Sequence, residues 1–395
     1  MSDELGSRPS EWTDAEGYLA FRAKYLDQVD TKLLLHFAKD VTKRKWVESL
    51  LTEHSLKKKL PSEWFDMGFR CQSLKWAEQS SSWATSIFKS SLLSKSSIVF
   101  DLTGGLGIDS MAFASKALEV NYFERDDDLF LQSNANFQVL QLDNIDSKHG
   151  NSIELLPKEL PKNAVVYLDP DRRGTKGRRS RSLHSMEPNW DEITAIQKRA
   201  DCEELLVKLS PMHDIQELLD LSLGQGNIHI IEYKGECKEI IWHWKKELKE
   251  PSLSIHEIDF KWSTRKMDFS EIAALPKRMT DEIGEYILDL SPSWKKAMTW
   301  NKAAEIFSIQ KLAANTHLFT SNKVISDFPG RQFVVLGPFD KKRPPLSASV
   351  ICRNCGSTSA EIKKRLKLKE DPDIFLIAFK NVDDKVNLLL TKKLN

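Results

Sequence analysis

Three acidic residues in the first half of the chain each close a short apolar run, a pattern that places carboxylates at the ends of buried strands. The first run, Ile98-Val99-Phe100, leads into Asp101-Leu102-Thr103-Gly104-Gly105-Leu106-Gly107-Ile108-Asp109. Glycines in such a turn let the backbone approach a ligand closely. A phosphate-binding loop would turn the following helix N-terminus toward an anion, whereas Asp101 favours a ligand with positive charge or hydroxyl donors. The second run, Val120 to Phe123, ends in Glu124, 19 residues after Gly105, where an acid can accept hydrogen bonds from both ribose hydroxyls. A solvated acid beside Arg125 and Asp126 is the alternative. The third run, Ala164 to Leu168, enters Asp169-Pro170-Asp171-Arg172-Arg173-Gly174, which sets a fixed carboxylate and free carbonyls at a strand's carboxyl end.

S-adenosylmethionine meets the first two requirements through its ammonium group and its ribose. Gly105-x-Gly107-x-x-Ser110 also resembles a degraded dinucleotide fingerprint, and Glu124 does not separate S-adenosylmethionine from NAD. The Asp169-Pro170 turn does separate them, because hydride transfer has no need of it. Next to these motifs, His149-Gly150-Asn151-Ser152 offers in Asn151 a side-chain carbonyl that can accept from an exocyclic amine. Directly after Asp171 come Arg172, Arg173, Lys176, Arg178, Arg179 and Arg181, six basic residues in ten without an acid. Such a run is a solvated loop or a phosphate contact.

The elements that must position these residues follow from periodicity. Residues 12 to about 92 carry apolar residues at helical spacing, as in Leu33 to Ala38 and Trp46 to Leu51, and predict a helical module. Ile98 to Phe100, Val120 to Phe123, Val165 to Leu168 and Leu205 to Leu209, separated by stretches long enough for crossover helices, predict a parallel βαβ sheet. Ile228 to Tyr233, Glu239 to Trp244 and Ser254 to Phe260 predict further strands, and Gly235 to Glu239 a polar hairpin. After Pro276 the spacing predicts a helix over Trp300 to Leu312, a strand at Phe333 to Leu336 and another at Ala348 to Cys352. A basic helix from Ser359 to Leu368 and strands Ile374 to Phe379 and Val386 to Leu390 complete the chain.

Bulk composition narrows the function classes. At 395 residues the chain has room for several domains. With 58 Lys and Arg against 57 Asp and Glu, any nucleic-acid surface must be local. No apolar run approaches the roughly 20 residues of a spanning helix, and the polar start Met1-Ser2-Asp3-Glu4 lacks a signal peptide's hydrophobic stretch, so a cytoplasmic protein without membrane association is expected. Five cysteines are too few for a disulfide framework. Cys352 and Cys355 form a C-x-x-C pair without the second pair that a zinc site requires, so ordinary reduced thiols and no metal are expected.

The glycine-rich, acidic and Asp-Pro strand ends resemble those of class I methyltransferases. RNA 5-methylpyrimidine methyltransferases resemble the chain in the Asp-Pro-x-Arg turn, but Leu209 and Ser210 stand where many of them bring a nucleophilic cysteine. More closely, Asp101 to Asp109, Asp169 to Arg173, Val207-Lys208-Leu209-Ser210-Pro211 and Gly235 to Glu239 together resemble the bacterial class I methyltransferase-like proteins with a C-terminal THUMP-like domain. Asn315 to Thr320, Asp327-Phe328-Pro329-Gly330-Arg331, Cys352-Arg353-Asn354 and Ile362 to Lys369 resemble that family's ferredoxin-like and last domains.

The resemblance implies an α/β chain: a Rossmann-like class I methyltransferase sheet with an N-terminal helical module and small C-terminal α+β domains. Its divisions would be residues 1–94 for the helices, 95–275 for the methyltransferase domain, 276–323 for the ferredoxin-like domain and 324–395 for the THUMP-like domain. THUMP domains proper bind RNA, so structured RNA is the expected partner. The reading that follows is methyl transfer from S-adenosylmethionine to tRNA or rRNA. Glu124 would hold the ribose, Asn151 would lie near adenine, and Asp101, Thr103, Gly104, Gly105 and Gly107 near the methionine part, with the acceptor at Asp169-Pro170. A binding module that keeps the fold without catalysis and an NAD-dependent oxidoreductase are the rival readings.

Overall fold

A computed structural model describes residues 16–171, 182–259, 263–268, 279–340 and 342–394. The basic run containing Arg172, Arg173, Lys176, Arg178, Arg179 and Arg181 lies outside the described residues. Among the described residues no helix is long and apolar enough to cross a membrane.

Among the described residues six α-helices come first: α1 (Glu16–Tyr25), α2 (Lys32–His36), α3 (Val41–Leu56), α4 (Ser62–Met67), α5 (Leu74–Gln79) and α6 (Trp83–Ser91). The longest, α3, starts where the Asp40 side chain accepts from the Lys43 amide at 3.0 Å, satisfying one of the donors that a helix N-terminus leaves unpaired. The chain continues through β1 (Ile98–Asp101), α7 (Ile108–Ala114), β2 (Glu119–Glu124), α8 (Asp127–Val139), β3 (Ile145–His149), α9 (Ser152–Leu155) and β4 (Ala164–Leu168). After these come α10 (Trp190–Gln197), β5 (Glu204–Leu209), α11 (Ile215–Leu221), β6 (Asn227–Tyr233) and β7 (Glu236–Lys245). Lys234 and Gly235, both at positive φ, make the two-residue turn between β6 and β7, so Glu236 to Glu239 begin a strand rather than forming the hairpin tip.

The chain divides into two compact units, one comprising residues 1–213 and 239–249, the other 214–238 and 250–395. In the first, the strand order is β3-β2-β1-β4-β5-β7, parallel except for β7, which pairs with β5 antiparallel. Every residue of β4 is buried, as a central parallel strand covered on both faces requires. The N-terminal helices share a core with this sheet: Leu56, Phe65, Phe69 and Ala77 pack with Ile108, Met111, Tyr122 and Phe137. The Asn136 amide on α8 locks that packing by exchanging hydrogen bonds of 2.9 and 2.8 Å with the backbone of Arg70.

The second unit holds β6, β8 (Leu253–Glu257) and β9 (Ser263–Met267), followed by β10 (Tyr286–Leu290), α12 (Pro292–Ala297), α13 (Trp300–Phe307), β11 (Gln310–Ala313) and β12 (Thr316–Ser321). It ends with β13 (Gly330–Pro338), β14 (Ser349–Arg353), α14 (Ser359–Leu366), β15 (Ile374–Lys380) and β16 (Val386–Lys393). Strand β6 pairs with β8 in parallel, and buried Glu232 of β6 accepts from the Ser293 amide and hydroxyl at the start of α12. The last seven strands form one sheet, β11-β12-β10-β13-β16-β15-β14, in which β10 pairs with both β12 and β13. That sheet curls back on itself: Thr316 on β12 donates to the Lys380 carbonyl at the end of β15 at 2.6 Å.

The helix predicted over Trp300 to Leu312 stops at Phe307, because Ser308 takes a left-handed conformation, φ 52°, and Gln310 to Ala313 pair as β11. Cys352 and Cys355 are joined in a disulfide rather than standing as reduced thiols. The C-x-x-C turn, with Asn354 at φ 51°, brings their Cα atoms to 6.2 Å, within the span a disulfide bridges.

Candidate active site

The carboxyl ends of β1, β2 and β4 meet, as a parallel sheet dictates, and carry Asp101, Glu124 and Asp169 to one end of the first unit. The glycine turn after β1 is bonded to both neighbours. The Leu102 amide donates to the Tyr167 carbonyl at 3.0 Å and the Gly104 amide to the Phe123 carbonyl at 2.9 Å. Close approach explains the glycines: a Cβ on Gly104 would lie 2.1 Å from the Tyr122 ring, and one on Gly107 2.5 Å from the Phe137 ring. The Tyr122 and Ser133 hydroxyls then donate to the Gly105 carbonyl at 2.6 and 2.9 Å.

Asp101 lies beneath this turn. It is buried, and its two oxygens accept from the Ser110 hydroxyl at 2.6 Å and the Thr103 amide at 3.2 Å. Burial, with Asp109 and Asp169 adding repulsion, pushes its carboxyl up to about 7. Its observed work is therefore to shape the loop that presents Gly105. Thr103 reaches sideways, its hydroxyl accepting from the Asp169 amide at 2.6 Å, so the glycine turn and the Asp-Pro turn are fastened together.

Glu124 is half-buried. One carboxylate oxygen accepts from the Gly105 amide at 2.9 Å, and the other from the Arg125 and Asp126 amides, each at 2.8 Å. An oxygen with one such bond keeps a lone pair for a hydroxyl donor, so the donor set fits a ribose beside Gly105. Asn151 is near in the sheet, since β3 pairs Glu124 with His149. It is exposed and caps α9, its carbonyl accepting from the Ile153 amide at 3.1 Å and its amide donating to Glu154 at 2.8 Å.

Asp169 keeps 33% of its side chain open and pairs with Lys208 of β5 at 2.5 Å. Its carboxyl is raised above the usual range: loss of hydration outweighs the attraction of Lys208. Burial works against the charge of Lys208, yet Asp169, Glu239 and Asp109 together hold its pKa above that of an ordinary lysine.

Behind this pair lies a network that the sequence reading missed. Lys89 of α6, with no exposed surface, contacts Glu239 of β7 at 2.7 Å and Asp109 of α7 at 3.0 Å. Asp109 also accepts from Ser81 at 2.9 Å, from the Tyr167 hydroxyl at 2.7 Å, and from Ser86. Burial opposes its charge, but Lys89 and Lys208 prevail and lower its carboxyl to about 2. One signal was present: Lys208 is a lone lysine within an apolar strand, and a buried ammonium requires a partner.

The comparisons agree with this architecture. A family model for a ferredoxin-like domain matches residues 286–329. The crystal structure of a protein from Porphyromonas gingivalis W83, provisionally described as a methyltransferase, is 27% identical with a TM-score of 0.79 and matches 99% of this chain and all of its own. An rRNA methylase from Streptococcus thermophilus is 14% identical over 41% of this chain and 94% of its own, TM-score 0.29. A provisionally described methyltransferase from Streptococcus mutans, in complex with SAH, is 15% identical over 40% of this chain and 95% of its own, TM-score 0.28. No curated protein matches the chain in sequence. The fold is therefore α/β, with a methyltransferase-like sheet and a C-terminal ferredoxin-like domain.

Proposed function

We propose that the first unit is an S-adenosylmethionine-dependent methyltransferase acting on RNA, and that the last part of the chain is a THUMP-like RNA-binding domain. The observation that carries the catalytic reading is Asp169: a partly open, lysine-paired carboxylate at the end of β4, tied through Thr103 to the turn that presents Gly105. The cofactor supplies an activated methyl group, and displacement at that carbon depends chiefly on alignment. Glu124 and the Gly105 backbone would hold the ribose, and Asn151 would border the adenine. Asp169 would orient the acceptor or take its proton, with Pro170 fixing the turn. The full-length likeness to the Porphyromonas gingivalis protein supports methyl transfer. RNA as acceptor is favoured by the six basic residues between Arg172 and Arg181, which directly follow Asp171.

Two measurements test this reading. Calorimetry should show S-adenosylmethionine or its demethylated product binding in preference to NAD. Glu124→Ala should weaken that binding by about 1.5–3 kcal/mol, the worth of hydrogen bonds to a charged group; unchanged affinity in a folded variant removes Glu124 from the site. For the RNA, binding should fall steeply with salt, and neutralising Arg172, Arg173 and Lys176 should lower the logarithmic salt slope by about 0.7–0.9 per charge. Identical slopes for both proteins would exclude these residues from RNA contact. The acceptor itself is identified by deleting the gene and comparing modified nucleosides in tRNA and rRNA by mass spectrometry.

A further inference from the structure

The motifs that the methyl-transfer site leaves unused converge elsewhere, within the second unit. Asp289 is the fourth residue of β10 and stands directly across from Arg331 of β13. Gly330 permits that crossing, since a Cβ there would lie 2.3 Å from the Asp289 carbonyl. The curl of the sheet brings Arg353, the last residue of β14, to the same carboxylate, and α12 adds Lys295. Arg331 lies 2.6 Å and Arg353 3.0 Å from one Asp289 oxygen, while Lys295 contacts the other.

One carboxylate thus faces three cations. Asp289 is 1% exposed, but Lys295, Arg353 and Arg331 keep 21%, 29% and 42% of their side chains open, so the surplus charge faces outward. Two polar atoms near this surplus have no partner among the described residues: the Nε of Arg353 and the Nδ1 of His317, both buried. His317 stacks on Trp300 at 4.4 Å, and the Trp300 ring also lies 4.5 Å from the ammonium of Lys311. Burial first, then Lys311, Lys295 and Arg353, lower the His317 imidazole to about 4, so it is neutral at physiological pH. Lys295 is lowered too, by burial and by the two arginines, although Asp289 pulls the other way. The local field therefore remains positive after the carboxylate is counted.

We propose that Lys295, Arg331 and Arg353, with His317 beside them, form a phosphate-binding site on the seven-stranded sheet of the second unit. Asp289 would act as the positioning residue that holds the guanidinium groups in place. A tetrahedral oxyanion takes the planar forks of two arginines and a point-charge ammonium without rearrangement of the carboxylate beneath them. The phosphate is that of an RNA backbone or of a small phosphorylated compound; the recognising chemistry is the same.

Titration of the full-length protein with inorganic phosphate, at constant ionic strength and followed by calorimetry, tests the site independently of methyl transfer and of any RNA substrate. One-to-one saturable binding is expected, weakened at least about tenfold in Arg331→Gln and in Arg353→Gln, each of which loses a charge-assisted hydrogen bond. Lys363→Gln, on α14 and paired with Glu370, should bind as the wild type does. Arg331 is the most open of the three, so its variant is expected to fold, and circular dichroism checks it. Wild-type protein that takes up no phosphate, or folded Arg331→Gln that binds it undiminished, overturns the proposal. A second arm finds the source. If inorganic phosphate displaces an RNA oligomer and Arg331→Gln weakens RNA binding, the backbone is the occupant; if phosphate binds while RNA is unaffected, it is a small phosphorylated compound. Either result upholds the site.

Discussion

Asp169→Ala is expected to abolish methyl transfer on the RNA identified by the deletion comparison, while cofactor binding survives. The carboxylate sits at the end of β4 with a third of its side chain open. Removing it also takes from the mostly buried Lys208 ammonium its direct carboxylate partner, leaving only the attraction of Glu239 and Asp109. Asp169→Asn is the cleaner variant, because it keeps the volume and one acceptor oxygen. If Asp169 only orients the acceptor, this variant should retain much of the activity. If it takes the proton, the rate should fall by about 10²–10⁴, the usual contribution of a general base. Single-turnover rates with saturating cofactor distinguish the two outcomes, and a fully active Asp169→Ala enzyme would remove the residue from the site. Cys237→Ser should remain active, since Leu209 and Ser210 occupy the strand end from which a pyrimidine-attacking thiol would come.

The largest effect on stability is expected from Lys89→Met. The ammonium has no exposed surface and lies between two carboxylates, Asp109 and Glu239. Without it both lose their direct cationic partner in a low-dielectric interior, and breaking a buried pair by removing one partner costs about 3–5 kcal/mol. Denaturant unfolding followed by hydrogen exchange at α6 and α7 would report the loss locally. Adding Glu239→Gln to Lys89→Met should recover part of it by removing one orphaned charge. The acid limb gives a further check. The Asp109 carboxyl, held at about 2 against an ordinary 3.8, contributes stability that is full above the ordinary value and is lost as pH falls toward 2. In Lys89→Met that limb should flatten, because a principal cause of the lowered value is gone. A variant as stable as the wild type, with an unchanged acid limb, would show that the network carries no such energy.

The parallel sheet was legible because β1, β2, β4 and β5 are apolar runs bounded by turn residues, and their acidic ends fell at the spacing a βαβ unit imposes. Strand β3 was not legible. It lies at the edge of the order, beside β2, and its Ile-Asp-Ser-Lys-His sequence has no fully buried residue, so no apolar run marks it. Strands β10 and β12 escaped because Asp289 and His317 interrupt their hydrophobic pattern. Each polar residue is accommodated only by partners from other strands and helices, which local periodicity does not encode. The same limit hid the Lys89 network. Lys89 and Glu239 are 150 positions apart, and nothing in either neighbourhood signals the other.

The curled seven-stranded sheet bears on how this chain can be inherited. The match to the ferredoxin-like family ends at residue 329, yet β10, at its start, depends for one whole edge on β13, which begins at Gly330. Four of the seven strands lie beyond that limit. A gene fragment ending there would encode a strand with an open row of amide and carbonyl groups, the kind of edge that recruits other chains. Moving residues 286–329 alone would therefore leave β10 without that edge, and the stretch that carries the whole sheet is β10 to β16.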